Sequence, residues 1–441
     1  MVQDVTIIDK ARQTLIPLEG TDVDESRHCS MPYSGQVDTL LALRRLPQHE
    51  EAPQALLQHP GGFFNMGKIR IRPFITAIFL AVPLLGALFA LSPVSSAFAA
   101  GTSSVAGHVY VLDNATTGNA ISAFNRAADG TLTSAGTTAI GGQGSGGGLG
   151  SQGSLIFSPD RSWLFAVDAG SNQISVLGVD AHGTLHPASV SSSGGVDPVS
   201  LTATGNFLYV VNSGNGSHAA NVTGFRVSGD GSLHPITGST QPLSAANPGP
   251  AQVQADPTGA TLIVTEKNTN LIDSYHIGSD GSLSQPTFTP STGTEPFGFA
   301  FNPATPSQFV VSDASAGAVT SYGLHNGNVT LEDGPVADNQ AAPCWVVITG
   351  NGSFAYTANA GSSSISGYSL SPTGTLALLA STGTGKGPNE IVLTSDSHFL
   401  YALDRGAATL SAFQVQSNGN LVSVNLGSIT LPSSLTGLAA D

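Results

Sequence analysis

The stretch Phe207-Leu208-Tyr209-Val210-Val211-Asn212 predicts the fold of this chain. Its β-branched and aromatic residues indicate a short strand that ends on a polar side chain. Related phrases occur at residues 109–113, 164–168, 262–266, 309–313, 355–359 and 400–404. The seven copies end 44 to 55 residues apart, from Asp113 to Asp404. A period of that length indicates an array of small β units.

Each of these phrases, which we call lead strands, belongs to a unit with further strand signals. A second strand follows the lead strand, and a Gly-x-aliphatic turn, as at Gly231 and Leu233, opens a third. Glycine supplies the positive φ that such a tight turn needs. A fourth strand begins at a proline in five units: Pro198, Pro250, Pro296, Pro343 and Pro388. Residues 153–157 take its place in the second unit.

Seven units of four antiparallel strands predict an all-β, seven-bladed β-propeller. The array opens on a lead strand at His108 and closes on a strand at residues 435–438. We therefore expect the C-terminal strand to complete the first blade and to close the ring. Residues 141–153 are rich in Gly and Ser, a composition that predicts a mobile loop between two blades.

The segment at residues 66–99 has the composition of a signal peptide. Basic residues follow Met66, an apolar run spans residues 74–91, and small residues surround a cleavage position near Ala99. Since a signal peptide normally opens a protein, we interpret residues 1–65 as an over-called, disordered upstream extension and residues 101–441 as the propeller. A cytoplasmic tail followed by an uncleaved signal-anchor is the alternative. Both interpretations predict a secreted protein or one of the periplasm and cell envelope.

The formal net charge of −15 argues against nucleic acid as a partner, because phosphates require a basic surface. The histidines lack the spacing of metal ligands, and residues 383–387 lack that of a phosphate-binding loop. We therefore expect no metal and no cofactor. We expect a monomer that binds a small polar molecule or a glycan. A weaker alternative is a Ca²⁺ site built from Glu266, Asn212 and the aspartates of other lead strands.

One face of the predicted ring collects the candidate site residues. In each blade the proline strand is innermost and the lead strand is its antiparallel neighbour, so the start of one lies beside the end of the other. The candidates that end or follow lead strands are Asp168, Asn212, Glu266, Lys267, Asp313, Asn359, Asp404 and Arg405. The candidates at the start of inner strands are Gln152, Gln252, Trp345 and Glu390. We predict that they bind a ligand at the mouth of the central channel.

Two interpretations are open for the acidic and amide residues of this face. A short polar side chain at a strand end commonly bonds the backbone of the next loop, and we expect this structural role for most of them. Glu266 differs because its side chain is longer and Lys267 follows it. A carboxylate at a channel mouth could act as a general base, so a functional and a structural role are both open for Glu266.

The chain resembles the lactonase-type seven-bladed propellers with YVTN-type repeats, a family that includes 6-phosphogluconolactonase-like and carboxymuconate-cyclising enzymes. The resemblance covers residues 105–441. It rests on Phe157-Ser158-Pro159-Asp160, on the phrase at residues 208–212 and on the repeated Gly-x-Leu turn. Because binding and surface-layer propellers share these motifs, they specify the fold better than the activity.

The resemblance implies a site with a Glu at the end of a lead strand and with His and Arg near the inner-strand prolines. Glu266 matches the first role, whereas Gln252 stands where a basic residue is implied and Gln152 at the early histidine position. We therefore predict an exported propeller that binds a sugar-acid or lactone-like ligand. If the protein is an enzyme, it is a 6-phosphogluconolactonase-like hydrolase with Glu266 as base. The alternative is a non-catalytic extracytoplasmic binding protein or envelope scaffold.

Overall fold

The computed structural model describes residues 104–441. The predicted extension (residues 1–65) and signal peptide (residues 66–99) lie outside this range. The described part consists of β-strands and one short 3-10 helix, Arg405–Ala407. Within it, no helix has the length and apolar character needed to cross a bilayer. The predicted all-β class is confirmed.

The first three blades hold strands β1 to β12. The chain begins with β1 (Val105–Asp113), β2 (Ala120–Ala127) and β3 (Leu132–Ala139). The second blade contains β4 (Leu155–Phe157), β5 (Trp163–Asp168), β6 (Gln173–Val179) and β7 (Leu185–Ser192). The third contains β8 (Pro198–Thr204), β9 (Phe207–Asn212), β10 (Asn221–Val227), β11 (Leu233–Pro235) and β12 (Gln241–Pro242).

The other four blades follow in chain order. The fourth contains β13 (Pro250–Ala255), β14 (Thr261–Glu266), β15 (Leu271–His276) and β16 (Thr287–Pro290). The fifth contains β17 (Pro296–Asn302), β18 (Thr305–Asp313), β19 (Ala318–His325) and β20 (Asn328–Ala337). The sixth contains β21 (Pro343–Ile348), β22 (Phe354–Asn359), β23 (Ser364–Leu370) and β24 (Leu376–Gly383). The last strands are β25 (Pro388–Leu393), β26 (Phe399–Asp404), β27 (Thr409–Val415), β28 (Leu421–Val424) and β29 (Leu435–Ala440).

The C-terminal strand closes the ring. β29 pairs antiparallel with β1, where Tyr110 lies opposite Ala439 and Leu112 opposite Gly437. The first sheet therefore has the order β29-β1-β2-β3, with the C-terminal strand innermost. The predicted seven-bladed propeller and its strand-matched closure are confirmed.

The hydrophobic core lies between neighbouring blades. In one cluster, Tyr209 and Val211 of β9 pack with Leu262 and Val264 of β14, and all four side chains are fully buried. Similar clusters join the remaining blades around the ring. Because a lead strand is covered on both faces, each blade gains its buried apolar area only with a neighbour on each side.

Tyrosine hydroxyls add a polar bond between blades. The Tyr110 hydroxyl of β1 donates to the Gly183 carbonyl at 2.7 Å, and the Tyr401 hydroxyl of β26 donates to Gly130 at 2.8 Å. The same bond joins Tyr209 to Gly281 and Tyr356 to Gly419. Each acceptor is the glycine of the Gly-x-aliphatic turn in the next blade. The lead phrase and the turn, which recur together in the sequence, therefore bond to each other across blades.

Leu435→Ala should weaken the closure of the ring. Leu435 is fully buried in β29 and packs in the cluster that joins the first and last blades. Removal of a buried leucine side chain leaves a cavity and typically costs about 2–5 kcal/mol of unfolding free energy. Urea denaturation monitored by circular dichroism measures this loss.

Leu331→Ala is the matched control, because Leu331 is 52% exposed on the outer strand β20. We expect it to change the unfolding free energy by less than about 0.5 kcal/mol. Equal losses in the two variants would show that the closure does not limit stability.

Candidate functional site

The polar residues at the ends of the lead strands lie between blades. Asp168 is fully buried at the end of β5. Its carboxylate accepts hydrogen bonds from the Ser175 hydroxyl at 2.7 Å and from the Asn119 amide of the first blade at 2.8 Å. Burial raises the pKa of Asp168 to about 6, and the two hydrogen bonds oppose this shift. Asp168 thus links two blades through its side chain.

The same arrangement recurs in other blades. The last residue of the lead strand forms a side-chain hydrogen bond with the residue seven positions later. These pairs are Asp313 with Thr320, Asn359 with Ser366 and Asp404 with Ser411. Asn212 instead donates to Asn221 at 2.9 Å. All four are fully buried. Burial raises the pKa of Asp313 to about 7 and that of Asp404 to about 6. These contacts give the four residues a structural role, while a role in ligand binding stays a prediction.

Glu266 is fully buried at the end of β14. One carboxylate oxygen accepts a hydrogen bond from the Ser244 backbone N–H at 2.9 Å. The other accepts from the hydroxyls of Ser244 and Thr269. Three donors from two loops therefore surround this carboxylate, and it faces the contact between the third and fourth blades.

Asp273 is the second carboxyl group beside Glu266. It is fully buried on β15, and the Tyr275 hydroxyl lies 3.4 Å from one of its oxygens. Burial, with hydrogen bonding to Glu266 and the charge of Glu266, raises the pKa of Asp273 to about 9. Asp273 is therefore protonated at neutral pH and can donate its proton to Glu266. The two acidic side chains form a buried pair.

A sequence signal for Asp273 exists, although we did not predict this residue. It stands seven positions after the lead-strand end, where four other blades carry Ser or Thr and two carry Ala. The one blade whose lead strand ends in Glu thus also carries an acid at the partner position. The two deviations from the repeat therefore lie in the same blade, where the two acids interact.

The Lys267 side chain extends towards the central axis of the ring. Its ammonium donates a hydrogen bond to the Gly150 carbonyl and lies 4.9 Å from the centre of the Phe297 ring. Burial lowers the pKa of Lys267 to about 8, and the negative charges of Glu295 and Asp197 oppose the shift. Burial likewise raises the pKa of Asp197 to about 6. Successive strand residues point to opposite sides, so Glu266 and Lys267 diverge.

Residues 148–153, which we call the 148–153 segment, reach across the axis of the ring. The Gln152 amide nitrogen donates to the Val346 carbonyl at 2.8 Å, and the Val346 N–H donates back to the Gln152 oxygen at 2.9 Å. The Trp345 indole N–H donates to the Ser151 carbonyl at 2.8 Å. The segment precedes the second blade, whereas Trp345 and Val346 belong to the sixth. The structure thus differs from the predicted mobile loop, because this part of residues 141–153 is bonded inside the ring.

Further contacts tie the segment to other blades. The Gln152 backbone N–H donates to Ala251 at 2.9 Å, and the Gly153 N–H donates to the Glu390 carboxylate at 3.2 Å. Burial raises the pKa of Glu390 well above its ordinary value, although the N–H of Gly153 opposes this shift. Gln252 accepts from the Phe299 N–H at 2.7 Å. Gln152, Gln252 and Glu390 are all buried.

The structure brings together some of the predicted site residues and separates others. We use the name mouth cluster for Gln152, Lys267, Phe297 and Trp345. Gln152 belongs to the 148–153 segment, Lys267 and Trp345 donate hydrogen bonds to it, and Phe297 contacts both of these side chains. The Phe297 and Trp345 rings lie 5.2 Å apart at 65°. Among the described residues, Glu266 has no hydrogen bond to this cluster.

Arg405 lies at the edge of the same region. Its half-buried guanidinium carries a buried Nε without a hydrogen-bond partner among the described residues. Burial lowers its pKa. A Cβ placed on Gly148 would lie 3.3 Å from a terminal nitrogen of this guanidinium, so the start of the 148–153 segment adjoins Arg405.

Metal ligands do not cluster at this face. Across residues 104–441, no group of three or more His, Cys, Asp or Glu side chains is arranged to hold a metal ion. The Ca²⁺ site considered from the sequence therefore has no ligand set in the described part of the chain. A depression of about 390 Å³ lies elsewhere, between Ile140 of the first blade and Pro187 of the second.

Asp273→Asn should reduce the loss of stability at alkaline pH. The folded pKa near 9 exceeds the ordinary value of 3.8, so unfolding releases a proton at intermediate pH. The contribution of Asp273 is fully present below about pH 4 and is lost as pH rises towards 9, by at most about 1.4 kcal/mol per pH unit. The asparagine amide cannot ionise and can still donate to Glu266. Urea denaturation at pH 6 and pH 8.5 should show a smaller loss in the variant than in the wild type.

Asp129→Asn is the control for this pH dependence. Hydrogen bonds from Thr131 lower the pKa of the exposed Asp129. Its carboxylate is therefore ionised in both the folded and unfolded states above pH 6, and the variant should keep the wild-type slope. An unchanged slope in Asp273→Asn would contradict the protonated state of Asp273.

Part of the repeat array matches a known family model in sequence. Residues 153–335 match the family model for the lactonase seven-bladed β-propeller. No curated protein matches the chain in sequence. The matched range begins within the 148–153 segment and contains Lys267, Glu266 and Asp273.

Solved structures share the architecture. The chain is similar to a candidate 6-phosphogluconolactonase from Bacteroides fragilis, with a TM-score of 0.64 and 19% identity over 77% of this chain and 99% of that one. It is also similar to the periplasmic gluconolactonase of Pseudomonas aeruginosa, with a TM-score of 0.63 and 18% identity over 76% and 98%. At these identities the likeness establishes the fold. The resemblance predicted from the repeats is confirmed: residues 153–335 match the lactonase seven-bladed propeller family, and the described part of the chain is a seven-bladed β-propeller.

Proposed function

We propose that this protein is an exported lactonase-type propeller that binds a small polar ligand, of sugar-acid or lactone type, at the mouth cluster. One observation carries the proposal: a buried ammonium (Lys267) and an indole N–H (Trp345) flank the Phe297 ring and donate to consecutive carbonyls. Two donors fix the orientation of a polar ligand, and an aromatic face packs against the C–H groups of a sugar.

Hydrolysis by this site would need a base and a polarising group. In the proposed reaction, Glu266 takes a proton from water, and the water oxygen bonds to the lactone carbonyl carbon. The ring C–O bond then breaks, and the proton passes to the leaving alkoxide. Lys267 would stabilise the charge that develops on the carbonyl oxygen. Because the Glu266 and Lys267 side chains diverge, this finer proposal requires Glu266 to turn towards the mouth cluster and to exchange its present partners, Ser244 and Thr269, for water.

Binding without hydrolysis is the second candidate function. The position of Glu266 favours it, because both carboxylate oxygens accept hydrogen bonds and the side chain is fully buried. Gln152 and Gln252, at the positions where the family resemblance implies His and a basic residue, hydrogen-bond to inner-strand backbone. Such a protein would serve as an extracytoplasmic binding protein or an envelope scaffold.

Lys267→Met tests the ligand site that both candidate functions share. Methionine keeps an apolar chain near Phe297 and removes the charged donor. A hydrogen bond from a charged group contributes about 1.5–3 kcal/mol, so gluconate or 6-phosphogluconate should bind about tenfold to a hundredfold more weakly. Isothermal titration calorimetry measures the affinity.

Lys386→Met is the matched control, since Lys386 is exposed near the same face and loses the same charge. We expect its affinity to change by less than about threefold. A loss as large as that of Lys267→Met would point to overall charge and would argue against the mouth cluster as the ligand site.

Glu266→Gln separates hydrolysis from binding. With glucono-1,5-lactone and its 6-phosphate as substrates, an enzyme that uses Glu266 as base should lose at least about a hundredfold in kcat while it keeps ligand affinity. Base consumption at constant pH measures the turnover. Turnover at the uncatalysed rate in both the wild type and the variant would exclude hydrolysis and favour the binding protein.

Export has its own test. If residues 66–99 are a cleaved signal peptide, the protein recovered outside the cytoplasm should begin close to Ala99. Mass spectrometry of its N-terminal peptide measures this position. Recovery of the protein with residues 66–99 attached would favour the signal-anchor, and recovery in the cytoplasm would contradict export.

A further inference from the structure

We propose that the 148–153 segment occupies the ligand site of its own chain, so that a ligand binds by displacing it. The carbonyls of Gly150 and Ser151 then take the positions of two ligand oxygens, on Lys267 and Trp345. The inference rests on the proposed function, because it assigns the ligand to the mouth cluster. It goes further by naming the groups that the ligand must carry and the segment that controls access.

The partners of the two donors support replacement by a ligand. An indole N–H and a buried ammonium each need an acceptor, since a buried donor without one costs free energy. Here both acceptors are neutral backbone carbonyls from one short segment, rather than carboxylates of the surrounding strands. Burial disfavours the charged form of Lys267, and the nearby acids offset this effect only in part, which is consistent with its lowered pKa. An anionic oxygen would compensate this charge better than the Gly150 carbonyl does.

The internal occupant indicates the chemical class of the ligand. Gly150 and Ser151 present acceptors on consecutive residues, so the ligand should carry two oxygens on neighbouring groups. The Phe297 ring, 4.9 Å from the ammonium, suits an apolar face between them. Arg405, whose buried Nε has no hydrogen-bond partner within residues 104–441, stands beside Gly148 and can meet a further oxygen. A sugar acid carries a carboxylate, neighbouring hydroxyls and an apolar face, whereas its lactone lacks the charge. We therefore infer that the acid binds more tightly than the lactone.

The backbone of the segment permits displacement at two positions. Gly150 and Gly153 have φ values of 60° and 81°, in the left-handed region that glycine adopts without strain. Gly153 lies two residues before the inner strand β4, which stays in the sheet of the second blade. A change of backbone angles at these glycines can move residues 150–152 without altering the strand.

Gln152 holds the segment without using either donor of the ligand site. Its two hydrogen bonds go to the Val346 backbone, whereas Lys267 and Trp345 bond to Gly150 and Ser151. We call the state in which the segment fills the ligand site the occupied form. Gln152→Ala therefore destabilises the occupied form and leaves both donors in place. If the segment competes with the ligand, the apparent affinity rises with the fraction of molecules in which the segment is displaced.

The experiment compares D-gluconate binding to the wild type and to Gln152→Ala by isothermal titration calorimetry. We expect the variant to bind at least about fivefold more tightly, because it lacks the two hydrogen bonds that stabilise the occupied form. Gln414→Ala removes the same side chain from an exposed position on β27 and should leave the affinity unchanged. Unchanged or weaker binding by Gln152→Ala, with gluconate bound by the wild type, overturns the inference and leaves the proposed function standing.

Hydrogen exchange of the wild type provides a measurement that needs no variant. The backbone N–H groups of Gln152 and Gly153 are bonded to Ala251 and Glu390 in the occupied form. Saturating gluconate should speed their exchange if the segment is displaced. Slower or unchanged exchange would show that the ligand binds with the segment in place, which overturns the inference. Absence of gluconate binding to both the wild type and Gln152→Ala would overturn the proposed function and the inference with it.

Discussion

The burial of each lead strand on both faces is the constraint on which the rest of this structure depends. Tyr209 and Val211 have no exposed surface, and a neighbouring blade supplies the atoms that cover them. A single blade would expose one or both faces of this strand, so the array is stable only when every blade has two neighbours. The C-terminal strand β29 meets this requirement at the point where the two ends of the array meet. The tyrosine hydroxyls that donate to turn glycines fix the spacing of the blades.

The same strand geometry separates two classes of polar residue at the candidate face. Side chains alternate along a strand, so the last residue of a lead strand and the next one point to different sides. Glu266 lies between two blades with Ser244, Thr269 and Asp273, while Lys267 reaches the axis and Phe297. The acid that the family resemblance singles out therefore supports the contact between blades, and the cation after it belongs to the mouth cluster.

Desolvation dominates the electrostatics of this face. It raises the pKa of several buried acids, to about 9 for Asp273 and about 7 for Asp313, and it lowers the pKa of Lys267 to about 8. The formal charge of −15 counts these aspartates as fully ionised. The low polarity of the interior thus reduces the charge that the folded chain carries at neutral pH. It also makes the hydrogen bonds of Lys267 and Glu390 to the 148–153 segment stronger than they would be in water.

The sequence by itself determined the number of blades, the four strands of each, the closing role of the C-terminal strand and the face on which the polar strand ends gather. All of these follow from a local pattern that repeats seven times, from Asp113 to Asp404. Only the tertiary structure decided which of those polar residues meet. The contacts of Gln152 with Val346 and of Ser151 with Trp345 join residues 194 positions apart. No local pattern encodes such a pair, because it arises from closing the ring and bringing the second and sixth blades to a common axis. That closure places Ser151 and Gln152, from a Gly/Ser-rich loop predicted to be mobile, as buried and hydrogen-bonded parts of the candidate site.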